Sequence, residues 1–167
     1  MARQDKEGAL ISLEHQNRAK WDQVRIREGT DLLQTAMARG QIGPYQLQAA
    51  ISALHGEAKS WANTDWPQIE ALYRVLVSIQ PSPVVHLNLA IALSYARSSE
   101  VALEYLDEFL SETDLSQYQP FFAAKADLYH RAGDIEKARA HYETAITLAS
   151  GQAQKDFLNQ KMSTLAR

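Results

Sequence analysis

Apolar residues recur three and four positions apart along most of the chain. The pattern breaks at Gly40, Gly43–Pro44, Pro67, Pro81 with Pro83, Pro120, Gly133 and Gly151. Apolar positions at that spacing, ended by glycine and proline, predict amphipathic α-helices separated by short turns. The first helix is expected from about Arg18 to Arg39, with Trp21, Val24, Leu32, Ala36 and Met37 on its apolar side. The second opens at Pro44 and carries Leu47, Ile51 and Leu54 to about Lys59. Asp65 is placed to cap the third, in which Pro67 sits in the first turn, where its missing N–H is not needed. That helix continues to Gln80.

Ser82–Pro83 reads as a cap followed by a first-turn proline. The helix after it, Val84 to Ala96, is apolar almost all round, the mark of a buried element. Ser98 or Ser99 caps the fifth helix, and Tyr118 or Pro120 opens the sixth, which reaches Arg131. Gly133 and Asp134 then end one helix and cap the next, expected over Ile135 to Ala149. A last helix from about Gln152 to Leu165 has Phe157, Leu158, Met162 and Leu165 on one stripe. The fold class expected is all-α with eight helices. Residues 1–17 read as an extended N-terminal arm.

Within this pattern lies an internal repeat. Phe122, Ala126, Tyr129, Gly133, Ala138, Tyr142 and Ala145 form one unit, and thirty-six residues upstream the pattern recurs as Ala90, Leu93, Ala102, Leu106 and Phe109. Small residues let paired helices approach, tyrosines fill the space between neighbours, and glycine supplies the turn. The unit resembles the tetratricopeptide repeat. The resemblance implies a tetratricopeptide-like α-solenoid of about three helix pairs over residues 18–167, a single domain. An N-terminal helix precedes the right-handed stack and a C-terminal helix caps it.

Composition narrows the function classes. The 167 residues include 17 basic and 20 acidic side chains, for a net charge of −3. A domain that grips nucleic acid by itself is normally strongly basic, so direct nucleic-acid binding is not expected. No apolar run is long enough to span a bilayer, and no basic-then-apolar leader is visible, so a membrane role or secretion is not expected either. The absence of cysteine removes disulfides, thiolate catalysis and sulfur-based zinc sites, and fits a cytoplasmic location.

Longer strings carry a closer resemblance. They are Ala2-Arg3-x-Asp5-x-x-Gly8, Leu13-Glu14-x-Gln16-Asn17-Arg18-x-x-Trp21-Asp22, Gly43-Pro44-Tyr45-Gln46-Leu47-Gln48-Ala49-Ala50-Ile51, His55-x-Glu57-Ala58, Thr64-Asp65-Trp66-Pro67-Gln68-Ile69 and Ser82-Pro83-Val84-Val85-x-Leu87-Asn88. In this order the chain resembles the C-terminal, tetratricopeptide-like extension of a bacterial extracytoplasmic-function RNA polymerase sigma factor. The family has aspartate at the position of Asn17 and arginine at that of Leu89. The resemblance implies a non-catalytic regulatory domain acting in transcription through protein contacts. Its partners would be the sigma regions of a parent chain, RNA polymerase or a regulator, and self-association is also open. Promoter recognition belongs to the sigma domains that precede such an extension and are absent from this chain. The alternative is a stand-alone adaptor that binds a peptide without a transcriptional role.

No phosphate-loop, dinucleotide, nucleophile-elbow or H-E-x-x-H string occurs, and no cofactor is expected. His55 and Glu57 lie two apart, which on a helix splays them by about 200°, so they do not share a metal ion unless the helix ends there. With Asp65 they are the one cluster that acid–base catalysis could use; the simpler role of Asp65 is a cap. The candidate partner-binding residues are instead Tyr45 and Gln48 on one helix, His86 and Asn88 on another, and Trp61 in a polar loop. From Ser98 to Ala124 the chain has Glu100, Glu104, Asp107, Glu108, Glu112 and Asp114 and no lysine or arginine. That run is either a solvated face or an acidic face for a basic partner.

Overall fold

The structure is a computed structural model, and it describes residues 10–110 and 114–166. Within them the chain is all-α, with eight α-helices and no β-strand; Leu10 makes an isolated bridge. The helices are α1 (Gln23–Met37), α2 (Pro44–Glu57), α3 (Trp66–Ile79), α4 (Pro83–Ala96), α5 (Ser99–Leu110), α6 (Gln119–Arg131), α7 (Ile135–Leu148) and α8 (Gln152–Ser163). No helix among the described residues is long and apolar enough to cross a membrane. The sequence string from Ala2 to Gly8 and the acidic candidate Glu112 lie outside the described residues.

Local chemistry places most helix ends where the sequence puts them. Asp65 Oδ1 accepts from Gln68 N–H at 3.0 Å, and Asp134 Oδ1 accepts from Lys137 N–H at 3.1 Å. Ser82 and Ser98 hydroxyls each accept from the amide three residues on, at 3.3 Å. Each cap satisfies one of the amides that a helix start leaves without a carbonyl. At Gly133 the backbone turns through φ 84°, a left-handed conformation that costs a residue with a Cβ about 1–2 kcal/mol.

Helix α1 differs from its expected form. It starts at Gln23, not Arg18, because Asp22 Oδ1 caps Val24 and Arg25 at 3.1 Å, while Arg18–Lys20 form a separate 3-10 turn. Its inward side is Ile26, Thr30, Leu33 and Met37, whereas Val24 and Leu32 are about two-thirds exposed. Both sets fit a helical period; the one that meets α2 is decided by Ile26, which packs where Gly56 leaves room. A Cβ at Gly56 would lie 3.2 Å from Ile26 Cγ2.

The described chain forms two compact units, with the boundary between Val85 and His86. In the first, α1 packs on α2 and α2 on α3. Its core includes Leu47, Leu76 and Val85, flanked by Leu72, Tyr73 and Val77. In the second, α5 packs on α6, α6 on α7 and α7 on α8. Ala126, Ala138, Tyr142, Ala145, Ala149, Leu158 and Leu165 build its core, with Phe122, Tyr129 and Met162 against them. Four of these buried residues (Ala126, Ala138, Tyr142 and Ala145) belong to the sequence repeat. In helix α4 only Val84 is exposed, and every other position from Pro83 to Ala96 is buried or half-buried, as its apolar composition predicts.

Candidate functional site

In the first unit the chemistry gathers around Arg18. Its side chain is buried, and its guanidinium donates from Nη1 to the carbonyls of His55 (2.9 Å) and Ala58 (3.0 Å) and from Nη2 to Thr64 Oγ1 (3.1 Å). Arg18 thus closes the C-terminal end of α2, where carbonyls lack partners and the helix dipole is negative. The indoles of Trp21 and Trp61 lie 5.2 and 5.9 Å from the guanidinium carbon, within cation–π range. Trp61 also meets Trp66 edge to face at 4.6 Å, and His55 packs on both rings.

Trp61, a candidate partner-binding residue expected in a polar loop, is half-buried in a 3-10 turn (Trp61–Asn63) and packs against Arg18, Trp66 and His55. Asn17, where the resembling family has aspartate, accepts from Ala19 N–H at 3.0 Å; the side chain at that position is a cap and the buried Arg18 is held elsewhere. The trio His55, Glu57 and Asp65 does not form a joint site. His55 lies among the indoles, Glu57 Oε1 accepts from Thr30 Oγ1 at 3.3 Å, and Asp65 caps α3. Burial, and then the Arg18 charge, pushes the His55 pKa below its ordinary value. Tyr45 is 84% exposed, and Gln48 is exposed on the same helix.

His86 and Asn88 belong to the second unit. His86 stacks on Phe109 at 3.8 Å, and its Nδ1 lies 2.5 Å from Tyr105 Oη, so the ring is held by α5 and burial lowers its pKa. Asn88 is half-buried, as is His86. Along α5, Glu100, Glu104, Asp107 and Glu108 are all exposed at helical spacing. Asp107 Oδ1 accepts from Lys125 Nζ of α6 at 2.5 Å. Lys125 is 7% exposed and lies near the rings of Phe121 and Tyr129. His141 stacks on Tyr129 at 5.2 Å, and burial and the Lys125 charge, opposed by Asp107, hold its pKa down. A buried lysine on α6 was not visible in an acidic stretch that ends just before it.

The second polar constellation, which sequence reading missed, runs from α4 across α6 to α8. Asp127 accepts from Lys161 Nζ at 3.2 Å and pairs with Arg131 Nε at 3.4 Å. Arg131 Nη2 donates to Ser94 Oγ at 2.5 Å, with its guanidinium 4.2 Å from the Tyr95 ring centre. Gln154 donates to Gln119 at 2.8 Å between the starts of α8 and α6.

Residues 1–37 match the model of a family of unknown function (DUF6596). The chain is 38% identical over 165 residues to a protein of Rhizobium meliloti (strain 1021) described as uncharacterized, an alignment covering 99% of this chain and 38% of the relative. The chain therefore spans less than half the length of that relative. No solved structure matches it.

Proposed function

We propose that this chain is a non-catalytic, tetratricopeptide-like protein-interaction domain of the kind that extends an extracytoplasmic-function sigma factor, and that it acts on transcription through protein contacts. The observation that carries the repeat reading is the register of the second unit. Side-chain hydrogen bonds join residues separated by 34, 35 and 37 positions: Asp127 with Lys161, Gln119 with Gln154, and Ser94 with Arg131. Helices α6 and α8 run in the same direction, since both contacts advance together along the two helices. One helix per repeat, each meeting its counterpart about a repeat later, is the pattern of a stacked array. The buried Ala126, Ala138 and Ala145 supply the close approach that such stacking needs.

The transcriptional part of the reading rests on the ordered strings from Leu13 to Asn88, several of which have structural jobs here: Arg18 seals α2, Asp65 caps α3, and Ser82 caps α4. The non-catalytic part is supported by the dispersal of His55, Glu57 and Asp65 into separate local roles. The test is co-elution of the 167-residue chain with purified sigma regions 2 and 4 and with core RNA polymerase. It is paired with an antibody blot of source cells for the size of the native polypeptide. Binding to either, with a native band much heavier than this chain, is the expected result. No binding, with a band at the size of this chain, would replace the sigma reading with the stand-alone adaptor.

A further inference from the structure

We infer that the Asp127–Arg131–Lys161 cluster of the second unit is a receptor for a carboxylate on a partner polypeptide, with Asp127 as its resident stand-in. The inference rests on the interaction-domain reading above and adds the chemistry of the ligand and the residues that take it.

Donors outnumber acceptors in this cluster. A guanidinium carries five N–H donors and an ammonium three. Arg131 uses Nε on Asp127 and Nη2 on Ser94, and among the described residues Nη1 has no acceptor. Lys161 uses one N–H, again on Asp127. In the same unit the Tyr142 hydroxyl is a buried donor with no hydrogen-bond partner among the described residues, on a residue only 2% exposed. Its phenol is pushed up by burial and by Asp127, against a smaller opposing effect of Arg131, so it stays protonated and sits within electrostatic reach of both. Two cations share one carboxylate, leaving one surplus positive charge.

That surplus selects the ligand. A carboxylate monoanion brings the cluster to neutrality, and its two oxygens match the free donors on Arg131 Nη1 and Lys161 Nζ. A doubly charged phosphate would leave the cluster negative. When a partner carboxylate takes the cations, Asp127 turns to accept from Tyr142 O–H, so the orphaned hydroxyl gains a partner only in the bound state. The stacking of Arg131 on Tyr95 holds the guanidinium plane for planar, two-point recognition. A polypeptide is favoured over a free acid because the polar row continues to the Gln119–Gln154 pair, eight residues or about 12 Å along α6. Those amides can meet main-chain groups of an extended segment.

The experiment is calorimetric titration of the full 167-residue chain with short blocked serine/alanine peptides. One carries a central glutamate, a second has glutamine there, and a third lacks acids but has a free C-terminal carboxylate. Binding of the glutamate or free-carboxylate peptide is expected, with the two arms telling which source is used. The glutamine peptide should bind roughly tenfold or more weakly, as loss of charge-assisted hydrogen bonds requires. R131M and K161M should each cause a similar loss. D127N, which removes the competing charge, should tighten binding several-fold. Y142F, which leaves the packing in place, should weaken it. Equal binding of the glutamine peptide, weaker binding to folded D127N, or no binding of any carboxylate peptide overturns the inference. The parent reading fails separately: if co-elution with the sigma regions or polymerase persists unchanged in R131M and K161M, only the carboxylate receptor falls.

Discussion

Replacing Arg18 with methionine keeps an unbranched stem between the two indoles and deletes every donor. The substitution removes three hydrogen bonds, to His55 O, Ala58 O and Thr64 Oγ1, and two cation–π contacts. Hydrogen bonds to a charged group contribute about 1.5–3 kcal/mol each, and a cation–π contact about 0.5–1. Against that gross loss stands the desolvation of a buried guanidinium, several kcal/mol, which the variant no longer bears. Thr64 keeps its own bond to Ser60 O at 3.3 Å, but the two carbonyls at the end of α2 lose their donor. The net expectation for R18M is a destabilisation of about 2–4 kcal/mol. In a chain of this size each kcal/mol moves the midpoint by about 2–4 °C, so the thermal midpoint falls by roughly 4–16 °C. Urea unfolding followed by tryptophan fluorescence reads this directly, because Trp21, Trp61 and Trp66 all lie in the Arg18 cluster or in contact with it. R18K, with a charge but no fork, should fall between wild type and R18M. The R18M/T64V double variant should lose less than the sum of the singles. An R18M midpoint equivalent to less than about 0.5 kcal/mol of change, or strict additivity with T64V, would refute the role assigned to Arg18.

Three further outcomes follow from the geometry. Y142F removes a buried hydroxyl with no partner among the described residues and should stabilise the ligand-free chain by about 1 kcal/mol in urea unfolding; destabilisation would mean the hydroxyl is bonded. G133V forces a β-branched residue to a φ of 84° and should cost about 2 kcal/mol, lowering the midpoint measured by far-ultraviolet circular dichroism; no loss would show that the turn relaxes freely. His55, His86 and His141 all have pKa values below the ordinary 6.5, chiefly because burial disfavours their charged forms. The unfolded chain therefore binds more protons than the folded one in that window, so stability is full above about pH 6.5 and is lost as pH falls towards and through the folded values. Thermal midpoints between pH 7.5 and 5 should decline, and H141N should flatten part of the slope; a flat wild-type profile would contradict the burial of these rings.

Signals confined to a few neighbouring residues were legible in the sequence. Asp65, Ser82, Ser98 and Asp134 cap amides three residues away, and Gly133 adopts a conformation that its own missing Cβ permits, so each can be read without knowing the fold. The eight helices, the buried character of α4 and the small-residue core of the second unit came from the same local information and its repetition. Choosing between two apolar faces of α1 was beyond it. Val24 and Leu32 satisfy the helical period as well as Ile26 and Leu33, and only contact with α2 at Gly56 settles which side is inward.

The candidate sites were legible in proportion to how local they are. Glu100, Glu104 and Glu108 remain exposed on α5, as spacing alone suggests, whereas the lysine that engages Asp107 comes from eighteen residues away. Trp61 sits in a polar segment, yet Arg18, more than forty positions earlier, helps draw it into a packed cluster. Lys161 and Arg131 meet on Asp127 because α8 lies beside α6. The amino-acid order by itself determined where most helices begin and end, because capping and backbone conformation are nearest-neighbour effects. Tertiary structure decided which charges are paired, which rings are covered and which hydroxyl lacks an acceptor, because those depend on atoms that only packing brings together.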